Sequence, residues 1–341
     1  MAKAKKLPSG SWRVLVYDYI DPNGKRRYKS FTAETKKEAE YLAAEYTLKK
    51  KNKNKPENMT VGEAIDKYII SKENILSPAT IRSYKQIRRN ALKSIINTKL
   101  TNLNQNIIQI AINQDAVHYS PKSIANIHGL LSSALNMFYP DFKLNTTLPQ
   151  KIQPDINIPE NETIKKIMEY VRSTDMEIPI LLAACGGLRR SEIAALTYDD
   201  FDFNKNTVTI NKAVVQNDDG NWCLKNTKTT SSKRTVELPT EVIKKIADRK
   251  NNNQILIPIK PNVISSRFKK ILHDLNIPHF RFHDLRHYNA SVMLALGIPD
   301  KYAMARMGHS TPNMLKKVYQ HLMTEKEKEV NENINNFFNN L

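Results

Sequence analysis

Cysteine is almost missing from this chain of 341 residues: Cys185 and Cys223 are the only two, without metal-type spacing. That excludes a disulfide framework and a cysteine-rich zinc site. No apolar run approaches the ~18 residues of a membrane span, so no membrane partner is expected. The basic start Met1–Lys6 leads into Leu-Pro-Ser-Gly rather than an apolar stretch, which is not a secretory signal and points to the cytoplasm. Internal repeats are also lacking. Acidic residues are scarce: 34 Asp and Glu face 53 Lys and Arg, for a formal charge of +19. Such an excess fits a polyanionic partner, nucleic acid above all, although a merely lysine-rich surface would show the same sum.

The excess begins at the N-terminus, where residues 1–56 carry fifteen Lys and Arg against six Asp and Glu. Trp12–Tyr19 is rich in β-formers, Asp21-Pro22-Asn23-Gly24 is a hairpin turn, and Arg26–Phe31 makes the return strand. Thr35 with Glu38 then forms a capping box that opens a helix with Ala39, Leu42, Ala43 and Tyr46 on one face. A basic ribbon backed by a helix suits a DNA groove. From Met59 to about Tyr139 the pattern is helical. Thr60 and Glu63 repeat the capping box, and Ser77-Pro78 and Ser120-Pro121 each set an N-cap before proline. The polar face Arg82, Lys85, Arg88, Arg89 and Lys93 fits either a DNA backbone or a solvated surface. Pro140, Pro149, Pro154 and Pro159 punctuate a linker. Beyond it, helices are expected near 160–173 and 176–196, strands near 207–215, 221–226 and 234–238, and helices from 240 onward.

The chemistry lies in scattered short motifs. Gly187-Leu188-Arg189-Arg190-Ser191-Glu192 places an arginine just after a glycine turn, with Glu192 three residues on to orient it. Lys228 sits between two strand-like runs in Thr227-Lys228-Thr229. His283-Asp284-Leu285-Arg286-His287 supplies a second arginine flanked by histidines, with His283 as a base near neutral pH. Gly308-His309-Ser310 ends a helix, and Val318-Tyr319-Gln320-His321 follows. Paired arginines grip phosphate through forked donors, histidines and lysine move protons, and tyrosine can attack. Each piece has an ordinary alternative: a surface Arg–Glu pair, a hairpin lysine in water, one tyrosine among fourteen. Zinc at His283 and His287, four apart on one helix, is a weaker reading, because no HExxH pattern exists and Arg286 intervenes.

Taken in order over roughly residues 160–325, with Ser232 and Arg234 following Thr-Lys-Thr, these motifs resemble the tyrosine recombinases, the phage-integrase family of site-specific DNA recombinases. The resemblance implies a multidomain α+β tyrosine recombinase fold. Residues 1–56 would be a β-sheet-plus-helix arm-type DNA-binding domain and 57–140 an all-α core-binding domain. A linker at 141–158 would lead to a mainly α catalytic domain at 159–341, with a small antiparallel sheet and a C-terminal packing helix. It implies attack by Tyr319 on a scissile phosphodiester, giving a 3′-phosphotyrosyl enzyme that integrates and excises a mobile element without ATP, cofactor or metal. Arg189 and Arg286 would clamp the phosphate, His309 would add a hydrogen bond, Lys228 would protonate the leaving 5′-oxygen, and His283 would take the tyrosine proton. The implied partners are double-stranded DNA at core and arm-type sites, three further copies of the chain in a tetramer on DNA, and accessory DNA-bending or excision proteins. The apolar stripe Val330, Ile334, Phe337, Phe338 and Leu341 would pack on a neighbouring protomer or back on its own domain. Two positions depart from the family pattern: Gly186 replaces a usual threonine, and Tyr288 replaces a small hydroxyl residue. A type IB topoisomerase and a pure DNA-binding regulator are the rival classes.

Overall fold

In the computed structural model, the described residues are 3–20, 25–53, 58–151, 157–226, 233–250, 255–309, 311, 315 and 324–339. The chain forms two compact units, Met1–Ile152 and Gln153–Leu341.

The first unit opens with β1 (Lys5–Lys6), β2 (Trp12–Ile20) and β3 (Arg26–Ala33), an antiparallel sheet in that order, followed by α1 (Lys36–Lys53). Alternation along β2 decides which face is covered. Trp12, Val14 and Val16 face a small core with Ala39 and Ala43 of α1, whereas Arg13, Leu15 and Tyr17 lie exposed. The pairing of Tyr17 with Tyr28 and of Leu15 with Ser30 continues that open face across β3. The expected turn at 21–24 lies outside the described residues.

Four helices follow: α2 (Val61–Lys72), α3 (Pro78–Asn90), α4 (Gln105–Ala116) and α5 (Pro121–Phe138). The α2 capping box is made as the sequence indicates, Thr60 N–H donating to Glu63 Oε2 at 2.7 Å and Glu63 N–H to Thr60 Oγ1 at 3.2 Å. Ser120 caps α5 through its hydroxyl, but Ser77 makes no side-chain cap, so α3 starts on Pro78 alone. Ile65, Ile69, Ile108, Ile112, Ile124, Leu131 and Leu135 form the core of this bundle. On the basic face, Arg88 pairs with Asp66 at 2.9 Å and Lys85 with Glu73 at 3.3 Å, so part of its charge is spent on joining α3 to α2. The bundle does not stop at α5. Gln105 and Gln109 of α4 exchange hydrogen bonds with the backbone of Lys143, Asn145 and Thr147, and Phe142, Leu144 and Leu148 pack on its core.

The second unit contains α6 (Asn161–Tyr170), α7 (Glu177–Ala184) and the single turn α8 (Arg190–Ile193), then β4 (Phe201–Asp202), β5 (Thr207–Ile210), β6 (Lys212–Gln216), β7 (Trp222–Asn226) and β8 (Arg234–Glu237). The helices α9 (Thr240–Ala247), α10 (Pro261–Asp274), α11 (Asp284–Ala295) and α12 (Asp300–Met307) follow, and Thr324–Asn339 forms the C-terminal helix. The strand expected over 207–215 is two strands. Val208 and Ile210 are buried and hold β5 in a sheet of order β4-β5-β8, while no residue of β6 is fully buried and its one partner among the described residues is β7. The helix expected over 176–196 is likewise two, parted at Gly186-Gly187, as the glycine turn in the motif itself suggested. Every residue of α7 is buried, which makes it the spine of this unit. On the C-terminal helix, Val330, Ile334 and Phe338 are exposed; the side chain of Phe337 and residue Leu341 are outside the described residues. None of the described helices is long and apolar enough to cross a membrane.

Candidate active site

The end of α7 turns sharply. Gly187 adopts φ +65°, and a Cβ there would stand 2.7 Å from Met307 Sδ and 2.8 Å from Asn289 Oδ1, so both handedness and space demand glycine. The turn delivers Arg189 as the N-cap of α8. Glu192 secures it twice, accepting from the Arg189 backbone N–H at 2.8 Å and from Nη1 at 2.7 Å. The orienting role read from their spacing is therefore present, though the pair is no surface pair: Glu192 is 2% exposed.

A second arginine closes on the same carboxylate. Arg234 donates from Nη1 to Glu192 Oε1 at 3.1 Å and from Nη2 to Oε2 at 2.9 Å. Burial alone would raise the Glu192 carboxyl, but the Arg234 hydrogen bonds and the charges of Arg234 and Arg189 hold it at about 2. It is a carboxylate at any working pH.

Arg286, on the inner face of α11, is 1% exposed. It donates to the carbonyls of Gly187 and Met307 and meets His309 Nε2 at 2.8 Å. Three of its five N–H donors are thus engaged within the protein, and the fork expected for phosphate is largely directed at backbone oxygen. Burial and the nearby Arg189 charge press its pKa downward, yet a guanidinium stays protonated throughout the physiological range.

The end of α12 organises all three arginines. Arg306 O accepts from Arg234 Nε at 2.8 Å, Met307 O accepts from Arg286, and Gly308 O accepts from Arg189 Nη2 at 3.1 Å. The last carbonyls of a helix have no partner inside it and carry the negative end of its dipole; here three in succession each hold a guanidinium. Gly308 caps the helix in the left-handed conformation, φ +63°, and so turns His309 back against Arg286. Because Arg286 donates to Nε2, the neutral ring carries its proton on Nδ1. That Nδ1 is buried and has no partner among the described residues. Burial and the charges of Arg286 and Arg189 lower His309 to about 4.

His283 stands at the N-cap of α11, its ring edge-to-face with His287 at 5.0 Å. Burial, then the charges of His287 and Arg286, hold it at about 4, below the near-neutral value expected from the sequence. It lines a cleft of about 700 Å³ together with Arg189, Arg190, Ser265, Lys269 and Arg281. Arg281 is fixed beside it by Asp284, at 2.8 Å between Nη2 and Oδ1.

The structure thus gathers Arg189 and Arg286 on successive carbonyls at the end of α12, with His309 against Arg286, and sets His283 on a cleft that Arg189 also lines. Lys228 and Tyr319 lie outside the described residues. The described residue preceding Tyr319 is Leu315, buried with Met293, Ala303 and Met307. Sequence reasoning gave no role to Arg234 and did not reach Asn289 or Arg306. Asn289 had a signal, an amide three residues after Arg286 on the stripe that leads to Met293; its Nδ2 donates to the Ala184 and Cys185 carbonyls at the α7 turn. Arg306, which donates to Cys185 O and Glu237 O, had none.

Both departures from the family pattern are packed in. A side chain at Gly186 would meet Leu188 Cδ1 at 2.7 Å, Leu182 O at 2.8 Å and Leu238 Cδ2 at 2.9 Å: the leucines fill the space. The Tyr288 hydroxyl donates to Asn161 Oδ1 at 2.8 Å, tying α11 to the start of α6.

Comparison with known proteins agrees with this geometry. Residues 158–326 match the model of the phage integrase family. The chain is 26% identical over 380 aligned positions to a tyrosine recombinase XerC-like protein of Caldanaerobacter subterraneus, covering 96% of each. It is 23% identical to the ICEBs1 integrase of Bacillus subtilis, covering 96% of this chain and 97% of that one. Among solved structures, the integrase of transposon Tn1549 in complex with transposon right end DNA aligns with a TM-score of 0.66 at 18% identity, over 81% of this chain and 99% of that chain. A lambda integrase dimer bound to a core site aligns at 0.58 and 15% identity, over 93% and 94%. The α+β fold of helices and small antiparallel sheets is that of these integrases. By the family match over 158–326 and by full-length relatives, this chain is a member of the phage integrase family, the tyrosine-type site-specific DNA recombinases.

Proposed function

We propose that this recombinase is the integrase of a phage or integrative element, cutting and rejoining DNA through a 3′-phosphotyrosyl intermediate at Tyr319. The observation that carries the reading is the Arg189–Arg286–His309 cluster on the α12 terminus: Glu192 offsets only one of the three charges of Arg189, Arg234 and Arg286, so the site is built for an anion. In the reaction, Tyr319 Oη attacks the scissile phosphorus, a P–O bond to tyrosine forms and the P–O5′ bond breaks. His283, unprotonated at neutral pH, takes the phenol proton. Lys228 gives a proton to the departing 5′-oxygen. Arg189 and the His309 Nδ1–H meet the charge that grows on the nonbridging oxygens, and Arg286 sets the tautomer of His309 while adding its own charge. The ester conserves the bond energy, so a 5′-hydroxyl from the partner duplex reverses the step and joins the new strand without ATP.

Double-stranded DNA is the partner, engaged at the core site by the helical bundle and second unit, and at a separate arm-type site by residues 1–56. The exposed sheet face of Arg13, Leu15, Tyr17 and Tyr28 supports that second site, being basic and aromatic. A tetramer on DNA, assembled through the C-terminal helix, accessory DNA-bending or excision proteins, and residence in the cytoplasm complete the reading. Strand exchange between two copies of the footprinted core site tests it. Arg286→Lys should bind that site with near-normal affinity and lose at least about 10²-fold in cleavage, since a point charge cannot hold two carbonyls and orient a histidine together. Near-normal exchange by that variant would remove Arg286 from the reaction.

A further inference from the structure

Arg234 occupies a position that the strand pattern assigns to an apolar residue. In β8, Arg234 and Val236 turn inward while Thr235 and Glu237 face out, and the cross-strand neighbour of Arg234 is Ile210, 1% exposed. An arginine taken out of water at such a point is costly unless its donors are all met. A packing role alone would be filled better by valine or leucine. Three of its five N–H donors are met in a particular way: two bonds to the Glu192 carboxylate and one to Arg306 O. Each partner touches the proposed reaction centre one step on. Glu192 holds the Arg189 guanidinium and its backbone N–H. Arg306 precedes Met307 and Gly308, whose carbonyls hold Arg286 and Arg189. Arg234 also begins the strand that leaves the segment containing Lys228, six residues earlier in the chain.

We infer that Arg234 is a positioning residue for DNA cleavage, fixing the Glu192 carboxylate so that Arg189 is held in one orientation against the scissile phosphate and locking α8 in register with the end of α12. Arg234 does not touch DNA; it acts through Glu192 and Arg306. The inference rests on the phosphotyrosyl reading above. The groups facing Glu192 are Arg189 from its own turn, Arg234 from β8 and the charge of Arg286 from α11. With Arg234 neutral, two cations remain, and the carboxyl protonates at a higher pH than it does now, releasing Arg189 as it does so.

The test is single-turnover covalent adduct formation by the full-length protein on a nicked duplex of the footprinted core site, followed from pH 4.5 to 8 for wild type, Arg234→Lys and Arg234→Met. Thermal unfolding and DNA binding are measured beside it, and rates are corrected for folded protein. Arg234→Lys should fold and bind DNA with cleavage slowed about 10-fold. Arg234→Met should be slowed further, with the acid limb of its rate profile displaced to higher pH, and Glu192→Gln should give a similar slow rate without that limb. A purely structural role would lower the melting temperature and leave corrected rate and pH profile as in wild type, which would overturn the inference. If wild type itself forms no adduct while binding the duplex, the recombinase chemistry fails first, and the inference with it.

Discussion

At the scale of single residues, burial has done most to set the chemistry. His283 and His309 both titrate at about 4 in the free protein because desolvation and neighbouring arginine charge oppose a second cation. The sign is simple: a lowered histidine pKa keeps the neutral ring available at lower pH. Both proposed roles need that ring, His283 to accept a proton and His309 to accept from Arg286 at Nε2. The second-order rate constant for cleavage, which reports the free enzyme, should therefore stay level from pH 7.5 down to about 5. A half-maximal fall near ~6.5, the ordinary histidine value, would contradict the assignment. Sequence could place these histidines near two arginines but could not give their titration, since burial is a property of the fold. The same holds for Arg286, whose fork looked made for phosphate and is found largely on carbonyl oxygens.

At the scale of elements, the short turn after α7 and the C-terminus of α12 form one device. Gly187 O and Met307 O hold the two ends of the Arg286 guanidinium, and Asn289 stitches α11 to the same turn. Gly187→Ala would force a Cβ into Met307 and Asn289 at a positive φ, costing at least about 1 kcal/mol and displacing the carbonyl that holds Arg286. We expect a lowered melting temperature together with a larger loss of cleavage than of DNA binding; an alanine variant with unchanged cleavage would show that the turn is only a connection. The glycine turn, the capping box at Thr60 and the αL cap at Gly308 were all legible from residue type, because local backbone chemistry dictates them. The division of 207–216 between two sheets was not, since it depends on which half finds a buried partner. Nor was the docking of residues 143–148 on α4, made by two glutamines with no local signature.

At the scale of the whole molecule, the ordered set of motifs spread over the second half of the chain carried more than any one of them. Arg189 and Arg286 lie 97 positions apart in sequence and share the end of one helix, a convergence that order and spacing announce and only the fold displays. The buried carboxylate between Arg189 and Arg234 was half legible: Glu192 by its spacing, Arg234 as a motif position without a role, because an arginine opening a strand reads as surface. One covalent event defines the proposed chemistry. Incubation of the full-length protein with a nicked suicide duplex of its core site, followed by denaturing electrophoresis and peptide mapping, should yield a 3′-phosphate ester on Tyr319 in wild type. Tyr319→Phe should bind the duplex equally and give none. An adduct formed by Tyr319→Phe, or mapped to another residue, would contradict the account.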